Sequence, residues 1–289
     1  MDLKKYLAWA EEKKVAIGHF NVSDSEGFRA VVEGAKELEV PVIVGVSEGE
    51  RDFIGLEQIV SLAETARTNG LPVFINADHT YSVDSAKTAI DAGVDSVIID
   101  AAEKTFEENI KLTKEVVSYA RNNLSASGAE ILVEGELGFI GKSSKVLETI
   151  PEGISSETQT EPEEAREFVK ATNIDLLAPS VGNIHGMVKS GNPKLNIERI
   201  KALREAAGVP LVLHGGSGVT DEDFREAIKA GIRIIHINTE LRIAYREGIE
   251  EGLKTGEIAP YKFLAEGVEE MKKVVLNKLR LFNKLEKTT

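Results

Sequence analysis

The chain has 289 residues, and its 35 lysine and arginine against 48 aspartate and glutamate side chains give a formal net charge of −13. Such an acidic surface repels the phosphate backbone of nucleic acids, so we do not expect a nucleic-acid partner. The absence of cysteine excludes disulfide bonds, thiolate nucleophiles and iron–sulfur clusters, so any metal site must use histidine, aspartate or glutamate.

Targeting signals are also missing from the sequence. No apolar run reaches the roughly 18 residues of a membrane span, and the start, Met-Asp-Leu-Lys-Lys, lacks the apolar core of a signal peptide. We therefore expect a cytoplasmic protein without a membrane partner.

Short runs rich in valine and isoleucine alternate with longer, charged, amphipathic stretches. The runs predict strands at 15–21, 41–47, 73–78, 96–100, 130–137, 176–180, 210–215 and 233–238. The intervening stretches predict helices at 27–38, 56–69, 82–92, 105–122, 162–171, 197–206, 221–230 and 239–253. Nearly all-apolar strands separated by helices are typical of a parallel sheet covered by helices. Eight such units predict an α/β fold, a (β/α)8 TIM barrel, rather than an open doubly wound sheet.

Three segments depart from this rhythm. An additional C-terminal helix at about 263–285 is expected to pack outside the barrel or against a partner. The polar stretch 138–160 has no periodicity, and loops of that length in compact domains are usually functional or disordered. Residues 189–194 form a second irregular connector. We expect one barrel domain over 1–289, with 138–160 as a mobile loop.

Histidines cluster at the predicted strand ends, where a TIM barrel carries its chemistry. His79, His185, His214 and His236 lie at or just after such an end, and His19 lies near one. Three neutral imidazoles from separate strands form a zinc site with an open fourth position. The best trio is His79, His185 and His214; satisfied core histidines are the alternative.

Carboxylates accompany these histidines. We expect one of Glu134 and Glu136 to face the barrel and accept a hydrogen bond from an imidazole, and the other to point outward. Asp78 directly precedes His79 and suits an acid/base beside a metal. The alternative is that Asp78 caps the helix beginning near Ser82.

A glycine-rich segment, His214-Gly215-Gly216-Ser217-Gly218, follows one strand and precedes a helix. Its amides and serine hydroxyl could surround an anion, with Gly182 and Asn238-Thr239 completing the cradle. The same glycines would also serve a turn with positive φ. No lysine lies at a strand end, so an imine-forming nucleophile is lacking and activation by a metal remains.

Several motifs, in order along the chain, resemble those of the class II, metal-dependent fructose-bisphosphate and tagatose-bisphosphate aldolases. The matching stretches are Phe20-Asn21, Ser47-Glu48-Gly49, Ala77-Asp78-His79, Glu134-Gly135-Glu136-Leu137-Gly138, Gly182-Asn183-Ile184-His185-Gly186, Leu213-His214-Gly215-Gly216-Ser217-Gly218 and Thr239-Glu240-Leu241-Arg242. The resemblance implies a zinc-dependent barrel that reversibly cleaves fructose 1,6-bisphosphate to dihydroxyacetone phosphate and glyceraldehyde 3-phosphate.

The resemblance also implies roles for individual residues. One Zn²⁺ per subunit would be bound by His79, His185 and His214. Asp78 would be the acid/base on the C4 hydroxyl, and Glu136 would support the metal site. Substrate binding is assigned to Asn21, Ser47, Gly182, Lys189, Gly215, Ser217, His236, Asn238, Thr239 and Arg242. A monovalent cation (Na⁺ or K⁺) near the phosphate, a lid at 138–160 and a homodimer or homotetramer are implied as well.

The chain departs from the family pattern at positions that bear on the substrate. The usual Asp-Gly-Ser after strand four reads Asp100-Ala101-Ala102, and His236 replaces an asparagine. Tyr261 stands where an arginine normally binds the second phosphate, and Lys262, Arg242 or Lys142 could replace that charge. The alternatives are a tagatose-bisphosphate or other ketose-1-phosphate aldolase, or a catalytically silent sugar-phosphate-binding barrel. His19 has no assigned role.

Overall fold

The computed structural model describes residues 1–141, 145–149, 158–189 and 194–285. Eight parallel strands close into a barrel. They are β1 (Ile17–Asn21), β2 (Val42–Val46), β3 (Val73–Thr80), β4 (Ser96–Ile99), β5 (Leu132–Leu137), β7 (Leu176–Pro179), β9 (Leu211–Leu213) and β10 (Ile232–Ile237). Their order around the barrel is β1-β10-β9-β7-β5-β4-β3-β2. The predicted (β/α)8 barrel is confirmed, and each predicted strand overlaps an observed one.

Helices surround the barrel. They are α1 (Leu3–Lys13), α2 (Ser25–Leu38), α3 (Glu48–Ile54), α4 (Leu56–Thr68), α5 (Val83–Asp91), α6 (Phe106–Ala120), α7 (Pro162–Thr172), α8 (Ile197–Ala207), α9 (Asp221–Ala230), α10 (Thr239–Lys254), α11 (Pro260–Phe263) and α12 (Ala265–Phe282). Side-chain hydrogen bonds cap the N-termini of several helices, for example Asp24 at α2 and the capping box of Thr105 and Glu108 at α6. The additional C-terminal helix is present as α11 followed by α12, and α12 packs on α2 and α10 of its own chain.

Two helices that the sequence analysis did not predict, α1 and α3, lie at the two ends of the barrel. Leu3, Leu7 and Ala10 of α1 are buried against the inward-facing side chains of the strands, so α1 covers one end of the barrel. The short helix α3 follows β2 directly and lies at the opposite end, where the strands reach their carboxyl termini. Its buried polar residues belong to the site described below.

The long polar segment contains one described element. β6 (Val146–Leu147) pairs in parallel with β8 (Met187–Val188), so part of the predicted mobile loop is tied to the chain after β7. Residues 142–144 and 150–157 lie outside the described residues, and the mobility of the segment stays a prediction. Within the described ranges, no helix is long and apolar enough to cross a membrane.

Candidate active site

The three histidines predicted as metal ligands meet at the carboxyl end of the barrel. His79 lies in β3, His185 lies between β7 and β8, and His214 directly follows β9. One nitrogen from each ring lies within 4.8 Å of the other two, and the Nε2 atoms of His79 and His185 are 3.1 Å apart. Three imidazole nitrogens in this arrangement can hold a divalent cation such as Zn²⁺ and leave a position open.

The second nitrogen of each imidazole is held by a fixed acceptor. The distances are 2.8 Å from His79 Nδ1 to Asp100, 2.7 Å from His185 Nδ1 to the Gly141 carbonyl and 2.7 Å from His214 Nε2 to Glu134. Such acceptors orient metal-binding imidazoles and select their tautomers. The remaining nitrogen of His214, Nδ1, is buried and has no hydrogen-bond partner among the described residues, which fits a metal ligand better than a satisfied core histidine.

The backbone at His79 turns sharply. Its φ of 42° lies in the left-handed region, which a residue other than glycine occupies only at a cost. The buried guanidinium of Arg51, on α3, donates to the carbonyls of Val46 (2.9 Å) and Asp78 (3.1 Å). The ends of β2 and β3 are thus joined directly behind the first metal-ligand candidate.

Asp78 is buried beside this trio. Its Oδ2 accepts a 2.8 Å hydrogen bond from Asn21, while Oδ1 lies 3.5 Å from His236 Nδ1 and 3.9 Å from His79 Nε2. Burial alone would raise the pKa of Asp78, but the charge of His79 and the nearby His236 ring hold it well below its usual range. The helix-cap alternative is wrong, because Ser82 caps α5 by accepting from the Ser85 amide at 3.1 Å.

The histidines differ in charge. Burial lowers the pKa of His79, but the Asp78 charge and the Asp100 hydrogen bond outweigh it and raise the pKa to about 10. Burial and the neighbouring His79 lower the pKa of His185 to about 4. A cation that binds the trio must therefore displace a proton from His79 at neutral pH.

Glu134 and Glu136 both point into the barrel. Glu134 meets His214, and Glu136 lies with Asp100 and His79 in a group whose ligand atoms are within 4.8 Å of one another. The expectation that one of the two points outward is wrong, because residues two apart on a strand share a face. Burial raises the pKa of both carboxyls well above the usual range, with help from Asp78.

The glycine segment after β9 has the backbone of an anion cradle. Gly215 and Gly218 have φ of 61° and 84°, and a Cβ on Gly215 would lie 2.1 Å from the Ile184 carbonyl oxygen, so only glycine fits there. Ser217 is buried, and its hydroxyl accepts from the Asn238 and Glu240 amides at 3.3 Å each.

One amide of this segment is already engaged. The carboxylate of Glu240, in the first turn of α10, accepts from the Gly218 amide at 2.9 Å. Its other oxygen lies 2.9 Å from the ammonium of Lys278 on α12. The C-terminal helix is thereby connected to the glycine segment through one carboxylate.

A cleft of about 470 Å³ opens above the histidines. The predicted site residues that line it are Ser47, Asp78, His79, Glu136, His185, Asn238 and Arg242. A smaller adjoining cavity is lined by the other predicted residues Asn21, His214, Gly215, Ser217, His236 and Thr239. Gly182 and Lys189 line neither the cleft nor the adjoining cavity. A Cβ on Gly182 would lie 2.4 Å from the Lys194 carbonyl oxygen, and the exposed Lys189 pairs with Glu148. Their roles stay predictions.

Sequence reasoning missed Glu50, which connects the predicted residues. One of its oxygens accepts from Asn21 (2.9 Å) and from the amide and hydroxyl of Ser47 (2.8 Å each), and the other lies 2.6 Å from the Arg242 guanidinium. The available signal was the Ser-x-x-Glu spacing from Ser47, which is typical of a capping box. Through Asn21, this carboxylate is linked to Asp78.

His19 and His236 form a buried stack with His214. The ring centroids of His19 and His236 are 3.4 Å apart with the planes 3° from parallel, and His236 lies 3.9 Å from His214. Burial lowers the pKa of His19 to about 3, so the ring is neutral. A Cβ on Gly45 would lie 2.0 Å from His19 Cε1, so glycine there makes room for the stack. His19 thus has a packing role behind His236.

Comparison with known proteins agrees with this arrangement. The family description "Fructose-bisphosphate aldolase class-II" matches residues 1–287. The chain belongs to the class II fructose-bisphosphate aldolase family. Proteins named fructose-bisphosphate aldolase are 37% identical over 289 residues in Geobacillus stearothermophilus and 36% over 288 in Staphylococcus epidermidis, each covering 98% of this chain and 96% of the relative. The resemblance drawn from the motifs is confirmed.

A solved aldolase structure extends the comparison to three dimensions. The YdjI aldolase from Escherichia coli K12 is 34% identical, with a TM-score of 0.83 over 100% of this chain and 99% of that one. In the present chain, Tyr261 is 77% exposed on α11 and does not line the cleft. Of the suggested replacements, Lys262 pairs with Glu257 at 2.8 Å, Lys142 lies outside the described residues, and Arg242 lines the cleft.

Proposed function

We propose that the protein is a zinc-dependent aldehyde-lyase that reversibly cleaves fructose 1,6-bisphosphate to dihydroxyacetone phosphate and glyceraldehyde 3-phosphate. The observation that carries the proposal is the convergence of three oriented imidazoles beside the buried, ionised Asp78 in one cleft. Membership of the class II family and the names of the relatives support the same reaction.

The metal would be held by His79, His185 and His214, with one Zn²⁺ per subunit. The buried, unpartnered Nδ1 of His214 and the acceptors behind each ring support this assignment. When bound, zinc would supply a Lewis acid that polarises the ketose carbonyl and stabilises negative charge developing there.

Asp78 would take the proton of the substrate's C4 hydroxyl as the C3–C4 bond breaks and C4 becomes an aldehyde carbonyl. The electron pair of the broken bond stays with the ketose half, which is protonated at C3 in a later step. Asn21 holds one oxygen of Asp78 at 2.8 Å, which leaves Oδ1 for the substrate. Glu136, kept protonated by burial, would hold a proton beside His79.

The ketose phosphate would lie in the glycine cradle, held by Gly182, Lys189, Gly215 and Ser217, with Na⁺ or K⁺ nearby. Further contacts are assigned to Asn21, Ser47, His236, Asn238, Thr239 and Arg242, of which all line the cleft or its adjoining cavity. We further infer one domain over 1–289, a lid formed by about 138–160 that excludes water on closure, and a homodimer or homotetramer.

Chelation tests the metal, and Asp78→Asn tests the acid/base. Removal of the metal should abolish cleavage of fructose 1,6-bisphosphate in a coupled assay, and added zinc should restore it. Asp78→Asn should retain zinc and lose at least about a hundredfold in kcat. Asp91→Asn, an exposed position hydrogen-bonded to Tyr119, is the matched control. Full activity without metal would overturn the proposal, and zinc binding without any turnover by the native protein would favour a silent sugar-phosphate-binding barrel.

A further inference from the structure

The loop after β4 faces the cleft from the side of the barrel opposite the anion cradle. In the closed order of eight strands, β4 lies three places from β9 and four places from β10, so its loop is on the far side of the barrel mouth. The cradle is built from the segments after β9 and β10, and His79 and His185 line both the cavity beside the cradle and the cleft that the β4 loop borders. A substrate bound by its first phosphate at the cradle would therefore extend towards the loop after β4.

Lys104 lies in this loop and lines the cleft. Its amide donates to the Ala101 carbonyl at 3.0 Å, a turn that begins one residue after Asp100, the partner of His79. Lys104 is exposed and its ammonium forms no ion pair with any residue that the structure describes. A positive charge of this kind is free to meet an anion that enters the cleft.

The other side chain in the cleft lining with a permanent positive charge is Arg242, and its charge is already paired. Its guanidinium lies 2.6 Å from Glu50, a carboxylate that is 8% exposed. Tyr261 and Lys262 both lie away from the lining. Among the described residues, Lys104 is thus the uncompensated fixed cation of the cleft.

We propose that Lys104 binds the terminal phosphate on the aldehyde half of the substrate. This inference rests on the proposed function and assigns the subsite that Tyr261 leaves without a charge. A lysine binds phosphate as a point charge with three donors rather than as a bidentate clamp, so it favours an anionic end group without fixing its orientation. Lys104 would set the preference for a ketose bisphosphate over a ketose carrying only the first phosphate.

The test compares two substrates that differ only in the distal phosphate, fructose 1,6-bisphosphate and fructose 1-phosphate. Lys104→Gln should lower kcat/KM for the bisphosphate about tenfold, mainly through KM, the effect of one charge-assisted hydrogen bond. It should leave kcat/KM for fructose 1-phosphate unchanged. Lys104→Arg should retain most of the preference. Lys111→Gln, which removes the same charge from the exposed face of α6, is the matched control.

The outcomes separate this inference from the proposed function. Equal loss on both substrates, or no loss on the bisphosphate, would overturn the role of Lys104 while cleavage itself stands. Native protein that cleaves both substrates equally well would also overturn it. Cleavage of neither substrate by the zinc-loaded native protein would overturn the proposed function, and the inference with it.

Discussion

Arg51 provides a demanding test of how the site is supported. Arg51→Met keeps the length and apolar stem of the side chain but removes the donors to two backbone carbonyls at the ends of β2 and β3. Leaving a buried acceptor unsatisfied costs about 1–3 kcal/mol, so two of them predict a loss of about 2–6 kcal/mol. The total stability of a folded protein is typically about 5–15 kcal/mol, so this loss is large.

The measurement is the thermal unfolding midpoint of the metal-free protein, because bound metal would add its own stabilisation. At about 2–4 °C for each kcal/mol, the midpoint should fall by at least about 4 °C. The control is Arg29→Met, which removes an exposed ion pair with Glu33 and should change stability by less than about 1 kcal/mol. Zinc affinity should also fall for Arg51→Met, since His79 would lose its support. Equal midpoints for the two variants, with unchanged zinc affinity, would refute the reasoning.

Two further predictions concern the metal. Asp100→Ala removes the acceptor behind His79 and should weaken zinc binding about 10- to 100-fold, measured by competition with a chelating dye. Asp91→Ala serves as the control. Equal zinc affinities for the two variants would contradict the role of Asp100. The pKa of His79 is raised to about 10 in the metal-free protein, so its stabilising contribution is fully present below pH 6.5 and is lost as pH rises through 10. Zinc must displace this proton, so affinity should increase with pH up to about 10, and calorimetry at pH 8 in buffers of different ionisation enthalpy should detect proton release. A pH-independent affinity would be evidence against the charge assigned to His79.

The barrel could be predicted because each strand is a short apolar run and each helix has its own periodic stretch. Helix α3 escaped prediction, since it has seven residues, and its buried side chains, Glu50 and Arg51, are polar. Their burial follows from hydrogen bonds across three strands, which a local pattern does not contain. The error at Glu134 and Glu136 was different: strand periodicity places both on one face, and the sequence sufficed to predict it.

The positions of the candidate ligands followed from their places at strand ends. The sequence did not indicate which cation could meet the second phosphate. Lys104, Lys262 and Arg242 differ in their ion-pair partners rather than in any local sequence pattern. Those partners come from separate elements brought together by the fold.

The link from Lys278 through Glu240 to Gly218 gives the outer helix α12 an influence on the anion cradle. With Lys278 in place, the carboxylate beside the cradle is neutralised by a cation from outside the barrel. Loss of the Lys278 charge would leave that carboxylate unneutralised at the Gly218 amide, where it would repel a phosphate bound at the proposed cradle. A substitution on the outer helix can thus alter the electrostatics of the barrel mouth without touching any of its loops.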